Sequence, residues 1–155
     1  MYDGYYTVMD SASKKDERMG RLLKGAQQAL RNKMDAVLAV SGLTTPQYAA
    51  LSTLERTSQI SNADLAKECF VTAQTMIRIV RNLEDECLIR KINHPTHGKI
   101  ITIELTAKGQ KILRTVHQQV NEVERSLLKG FSRQELVSMT ACLKRMIQNL
   151  IAESD

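Results

Sequence analysis

Proline and glycine are scarce in this 155-residue chain, two and seven respectively, so the usual interruptions of helix are few. A mostly helical fold follows. Cysteine is scarce too: Cys69, Cys87 and Cys142 are odd in number and far apart, which excludes a disulfide framework and a zinc ribbon. No apolar run approaches the ~18 residues that cross a bilayer, and the opening MYDGYYTVMDSASKKDE lacks the basic-then-apolar pattern of a secretory signal. The expected compartment is the cytoplasm, without membrane attachment. A glycine-rich phosphate loop, a nucleophile elbow and paired histidines on one helix are also missing. No enzyme is expected, and no cofactor or metal.

What is present is a globular chain with a basic balance. Charged residues are 25% and apolar types 43%, values that allow a real core and argue against disorder. Lysine and arginine number 22 against 17 acids, for a net charge of +5 and a pI near 9.2. That favours an acidic partner without identifying it.

The stretch TAQTMIRIVRNLEDE, residues 72–86, is where this charge acquires a shape. At the helical step of about 100° per residue, Met76, Ile77, Ile79, Val80 and Leu83 gather on one side. Gln74, Arg78, Arg81, Asn82 and Asp85 gather on the other. The order of charge runs against the helix dipole, with the arginines in the body and Glu84, Asp85 and Glu86 at the carboxyl end. A helix that lays its amino-terminal half on a polyanion would want this order. A solvated face on an ordinary core helix would carry the same residues, so the neighbouring elements decide.

Residues 1–13, with Tyr2, Tyr5 and Tyr6, read as a loosely held tail. From residue 14 to about 40, Met19, Leu22, Leu23, Ala26, Leu30, Met34, Val37 and Leu38 recur at helical spacing, and Gly42 closes the pattern. Thr45 is the expected cap of a second helix, with Pro46 at its first position, and Tyr48, Leu51 and Leu54 carry it to about residue 56. Ser61-Asn62-Ala63-Asp64 is a capping box that opens a short helix through Leu65, Ala66 and Cys69. After a turn at Phe70 and Val71, Thr72 caps the amphipathic helix. Two short helices, the second with a basic face, make a helix-turn-helix.

Two β-branched runs, residues 88–92 and 99–105, flank a loop holding Pro95 and Gly98 and read as a hairpin. Between residues 87 and 103 lie Arg90, Lys91 and Lys99 and no acid. A basic ribbon after a helix-turn-helix is a wing, placed to reach the backbone or the minor groove. Thr106 then caps a long helix bearing Ile112, Leu113, Val116, Val120, Val123, Leu127 and Leu128. The capping box Ser132 to Glu135 opens a final one bearing Leu136 to Leu150. These helices and the first hold more apolar stripe than a small winged domain needs. An intramolecular bundle would use it, but a dimerisation region also supplies the twofold axis that two reading helices need on a symmetric site. The expected fold is mostly α with a small β hairpin. Residues 43–106 form a winged helix-turn-helix, and residues 14–42 and 107–155 form a helical dimerisation region from both chain ends.

The segment LAKECFVTAQTMIRIVRNLEDECLIRK from Leu65, and NHPTHGKIITIELTAKG ending at Gly109, resemble the helix-turn-helix core and the wing with its Leu-Thr-x-x-Gly signature in the MarR family of bacterial transcriptional regulators. The resemblance covers roughly residues 14–153. It implies a homodimeric winged helix-turn-helix that binds a double-stranded DNA operator, typically as a repressor released by a small molecule or an oxidant. Carried over by position, Thr72, Gln74, Thr75 and Arg78 face bases and phosphates. Gln74 suits adenine, and Arg78 suits guanine or phosphate. Arg81, one turn back, is placed for a phosphate or an intramolecular pair, and Arg90 and Lys91 add positive charge in the wing.

The chain departs from the family pattern at four positions. His97 and Lys99 stand where the wing usually has Asp and Arg. Lysine lacks the flat fork of arginine and His97 holds no fixed negative charge, so a looser wing with mainly phosphate contacts is expected. Cys87 stands where a glycine usually follows the recognition helix, and Phe70 where the turn usually has a small residue. Cys87 is also the candidate redox residue, with Arg90 and Lys91 nearby and acids just before it. Cys69 and Cys142 read as packed thiols, and His94 and His97 as solvated or phosphate-facing. The resemblance places an effector cavity between the first, second and fifth helices, with Met34, Tyr48, Leu51, Leu113 and His117 as candidate lining. The alternative reading is a winged-helix protein-interaction module that uses the same polar face without specific DNA binding.

Overall fold

Capping side chains mark where most of the helices begin, the first excepted. The computed structural model describes residues 18–93 and 101–152, and the tail at residues 1–13 lies outside them. Helix α1 (Met19–Leu38) runs into a 3₁₀ turn (Ala39–Ser41), which ends at Gly42 with φ 69°. There the amide of Gly42 donates to Ala39 O at 3.1 Å and that of Leu43 to Leu38 O at 3.2 Å. This is the left-handed closure that glycine makes without steric cost. Helix α2 (Thr45–Arg56) is capped by Thr44, not by Thr45 as the sequence suggested. Thr44 and Gln47 form a reciprocal box, with the Thr44 amide donating to Gln47 Oε1 at 2.9 Å. Thr45 is free to donate instead to Asp35 Oδ1 at 2.6 Å.

Strand β1 (Ile60–Ser61) leads into α3 (Asn62–Glu68), where Ser61 Oγ accepts from the Asp64 amide at 3.1 Å. Helix α4 (Ala73–Asp85) follows, then β2 (Ile89–Asn93), β3 (Ile101–Leu105), α5 (Ala107–Leu127) and α6 (Arg133–Ala152). The expected hairpin is present and gains one strand. The sheet has three antiparallel strands in the order β1-β3-β2, with Ile60 opposite Ile103 and Ile89 opposite Leu105. Two residues are too short a run to show alternation, and β1 exists because β3 offers it a ladder.

The core joins Met34 and Leu38 of α1 to Leu51 and Leu54 of α2, Leu65 of α3, Met76, Val80 and Leu83 of α4, Ile103 of β3, and Leu113 and Val116 of α5. It lies under the helix-turn-helix and the C-terminal end of α1. Elsewhere the long helices show their apolar faces. Met19, Leu22 and Leu23 on α1, Leu127 on α5, and Val137, Leu143 and Ile147 on α6 are exposed, and no described side chain of α6 is fully buried. Cys69 packs against the core as expected, whereas Cys142 lies half-buried on the α6 stripe.

One contact ties α4 to α5. The Thr106 amide donates to Leu88 O at 3.1 Å, Thr106 Oγ1 donates to Cys87 O at 2.8 Å, and Lys108 Nζ donates to Glu86 O at 2.7 Å. A Cβ at Gly109 would stand 2.1 Å from Leu88 O. Only glycine allows the first turn of α5 to come this near.

Candidate nucleic-acid interface

The turn between α3 and α4 closes in the same way as the one at Gly42, but on a phenylalanine. The amide of Phe70 donates to Lys67 O at 3.1 Å and that of Val71 to Ala66 O at 3.0 Å, with Phe70 at φ 54°. Thr72 then caps α4, its Oγ1 accepting from the Thr75 amide at 3.2 Å and lying 2.9 Å from Thr75 Oγ1. Met76, Ile79, Val80 and Leu83 are buried, and that arc turns Gln74, Arg78 and Arg81 outward, all exposed. Ile77 corrects the helical wheel, which groups it with the apolar side: it is 57% exposed.

At its carboxyl end α4 closes on Cys87, at φ 58°. The amide of Cys87 donates to Glu84 O at 2.8 Å and that of Leu88 to Leu83 O at 2.9 Å. Cysteine here adopts the conformation that glycine holds more cheaply.

The basic residues divide into two groups. Among the described residues, neither Arg78 nor Arg81 forms an ion pair, whereas Arg90 pairs with Glu104 across the ladder and Lys91 with Glu84. Arg90 and Glu104 are register partners in β2 and β3, and Lys91 ties β2 to the last turns of α4. Two expected DNA contacts are thus engaged within the protomer. The same pairing occupies the cations beside the exposed thiol of Cys87. His97 and Lys99, and His94 with them, lie outside the described residues.

A cavity of about 310 Å³ opens where α1, α2, α3 and α5 meet. Met34 and Tyr48 line it, together with Arg31, Ser52, Arg56 and Glu124, polar groups that the sequence did not single out. Tyr48, Ser52 and Arg56 follow one another at four-residue steps on one face of α2, whereas Arg31 and Glu124 come from α1 and α5, so spacing links only the α2 set. Leu51 and Leu113 are fully buried in the core and do not line it. His117 stands behind Tyr48, with Nδ1 3.3 Å from the phenol oxygen, Nε2 2.9 Å from Glu55 Oε2, and the rings edge-on. Burial, with Glu55 and Glu124 nearby, raises the Tyr48 pKa against an opposing hydrogen bond to Ser52, so the phenol keeps its proton. Burial likewise raises the pKa of the Cys69 thiol against a hydrogen bond to Thr53, which leaves it a packing group.

No described helix is long and apolar enough to cross a membrane. The sequence pattern of the MarR family matches residues 41–100. The HTH-type transcriptional repressor Rv2887 of Mycobacterium tuberculosis is 27% identical over 135 residues, 87% of this chain and 94% of the relative. The solved complex of Staphylococcus aureus MepR with DNA superposes with a TM-score of 0.78 at 25% identity, covering 86% of this chain and 99% of that one. Rv2887 in complex with salicylic acid superposes with a TM-score of 0.66 at 26% identity, covering 85% and 98%. The helix-turn-helix and the three-stranded wing sheet agree with these matches: residues 41–100 carry the sequence pattern of the MarR family, and the chain shares the fold of its solved relatives.

Proposed function

We propose that this protein is a homodimeric transcriptional repressor that holds an operator through α4 and releases it when a small molecule fills the cavity between the helices. The observation that carries this is the outward face of α4, where Arg78 and Arg81 stand beside Gln74 without an internal counter-charge among the described residues. Unpaired cations on a capped, well-packed helix are what a phosphate backbone and base edges require. Thr72 and Thr75 add hydroxyls at its amino end, and Arg90 and Lys91 brace the wing. His97 and Lys99 are assigned to the wing's own DNA contacts.

MepR and an Escherichia coli MarR mutant have been solved with DNA, which supports the DNA reading. Residues 43–106 are assigned to DNA binding, and residues 14–42 and 107–155 to dimerisation through the apolar faces of α1, α5 and α6. The molecule would work in the cytoplasm, beside the chromosome. Relatives bound to salicylic acid and regulated by 6-hydroxynicotinic acid point to a small aromatic acid as effector. Arg31 and Arg56 supply cationic charge in the cavity and Tyr48 a neutral hydroxyl. An oxidant route would run through Cys87, the exposed free thiol.

The test is fluorescence anisotropy on the DNA upstream of the protein's own gene, with excess nonspecific competitor and across a salt series. Arg78→Ala should weaken specific binding about 10–100-fold. No preference over competitor for this DNA or for genomic fragments would sink the proposal.

A further inference from the structure

The reading surface is not uniformly polar. Phe70, in the turn before α4, is 81% exposed, and Ile77, in the second turn of α4, is 57% exposed. Along the helix Ile77 has Ala73, Gln74, Val80 and Arg81 as its neighbours at three and four residues; Val80 is buried, and the other three are exposed. Ala73 is small and keeps the approach to Ile77 open. Phe70 holds a left-handed φ that disfavours a bulky side chain and gains almost no burial within the protomer.

Two large apolar groups therefore flank Thr72, Gln74 and Arg78 on a face whose arginines are unpaired among the described residues. The complementary surface is anionic along its edges and has apolar points between them. The major groove has that form, with phosphates at its rims and the thymine 5-methyl as the apolar group among its base edges.

We infer that Ile77 and Phe70 are base-reading residues that take thymine 5-methyl groups next to the bases engaged by Gln74 and Arg78. The inference rests on the DNA-binding reading above. Specificity is then shared between hydrogen bonds and apolar contact, and the preferred site requires thymine at fixed steps in each half.

The experiment uses duplexes enriched from a random double-stranded library by the full-length protein. Each thymine of the enriched duplex is replaced in turn by deoxyuridine, which removes only the methyl group. At least one replacement per half-site should weaken wild-type binding about fourfold, the worth of one buried methyl. Ile77→Ala should bind the parent duplex more weakly and become indifferent to one of those replacements. Phe70→Gly should melt at a higher temperature than wild type yet bind DNA more weakly, opposite signs that a purely structural role would not produce. Indifference of the wild type to every replacement overturns the inference, as does a full uracil penalty retained in both variants; DNA binding that still depends on Arg78 would then leave the function standing. Enrichment of no duplex overturns both.

Discussion

Cys87 and Phe70 show how much a single backbone angle can carry. Both sit in the left-handed conformation that ends a helix, at φ 58° and 54°, where Gly42 does the same at 69°. The resemblance had marked both positions as departures. It left open whether Cys87 would keep that closure, because side-chain periodicity does not report φ. The structure keeps both closures, at a strain of about 1 kcal/mol each relative to glycine. Cys87→Gly should therefore raise stability by about 1 kcal/mol in urea titrations, and a lower midpoint would show that the thiol makes a contact of its own. Gly109→Ala should do the reverse and cost about 1–3 kcal/mol or more by the same measurement, because its Cβ would collide with Leu88 O. Ile77 was misread for a different reason. Apolar character groups it with the buried arc, but burial depends on which neighbours cover the edge of α4, and nothing in its own sequence names them.

The helix starts were legible because capping is local chemistry. Ser61, Thr72, Thr106 and Ser132 cap as their spacing announced. Thr44 took the role read for Thr45 because its partner Gln47 lies three residues on. The β1 strand was invisible, being two residues whose pairing is entirely nonlocal. Thr72→Ala should cost about 1 kcal/mol of stability and weaken DNA binding further than that loss explains, by removing a hydroxyl at the reading end. At the start of α6, hydrogen bonds from the Ser132 hydroxyl and amide hold the Glu135 carboxyl below its ordinary 4.5. A depressed carboxylate stabilises the folded state fully above that ordinary value and loses its effect as pH falls through the lower, folded one. Amide exchange at residues 133–135 should rise relative to the body of α6 as the medium is acidified below pH 4.5. Glu135→Gln should flatten that rise, and an unchanged profile would show that the carboxylate does not guard this helix end.

At the scale of the whole molecule, the exposed apolar stripes are the surface through which the proposed dimer would form. Val137, Leu143 and Ile147 face outward on α6, while Met19 and Leu22 do so on α1. Leu143→Glu combined with Ile147→Glu should convert the dimer to a monomer in sedimentation velocity. It should also lower operator affinity about 100-fold or more, because two linked reading heads become one. A variant that remains dimeric would move the interface elsewhere. The cavity was only partly legible, since its polar lining comes from separate helices that meet only in the fold.

The hydrogen bonds that rivet residues 86–88 to the first turn of α5 have a mechanical meaning. Helix α5 spans 21 residues, a stiff rod about 31 Å long at ~1.5 Å per residue. Because the end of α4 is fixed to one end of that rod, and the proposed dimer interface would hold the other, the rod would act as a lever. A tilt of about 5° at the gripped end would swing the reading helix by nearly 3 Å, about the full length of a hydrogen bond. An effector wedged beside α5 would therefore not have to touch or unfold the reading helix; a few degrees of leverage would put both heads out of step with their half-sites.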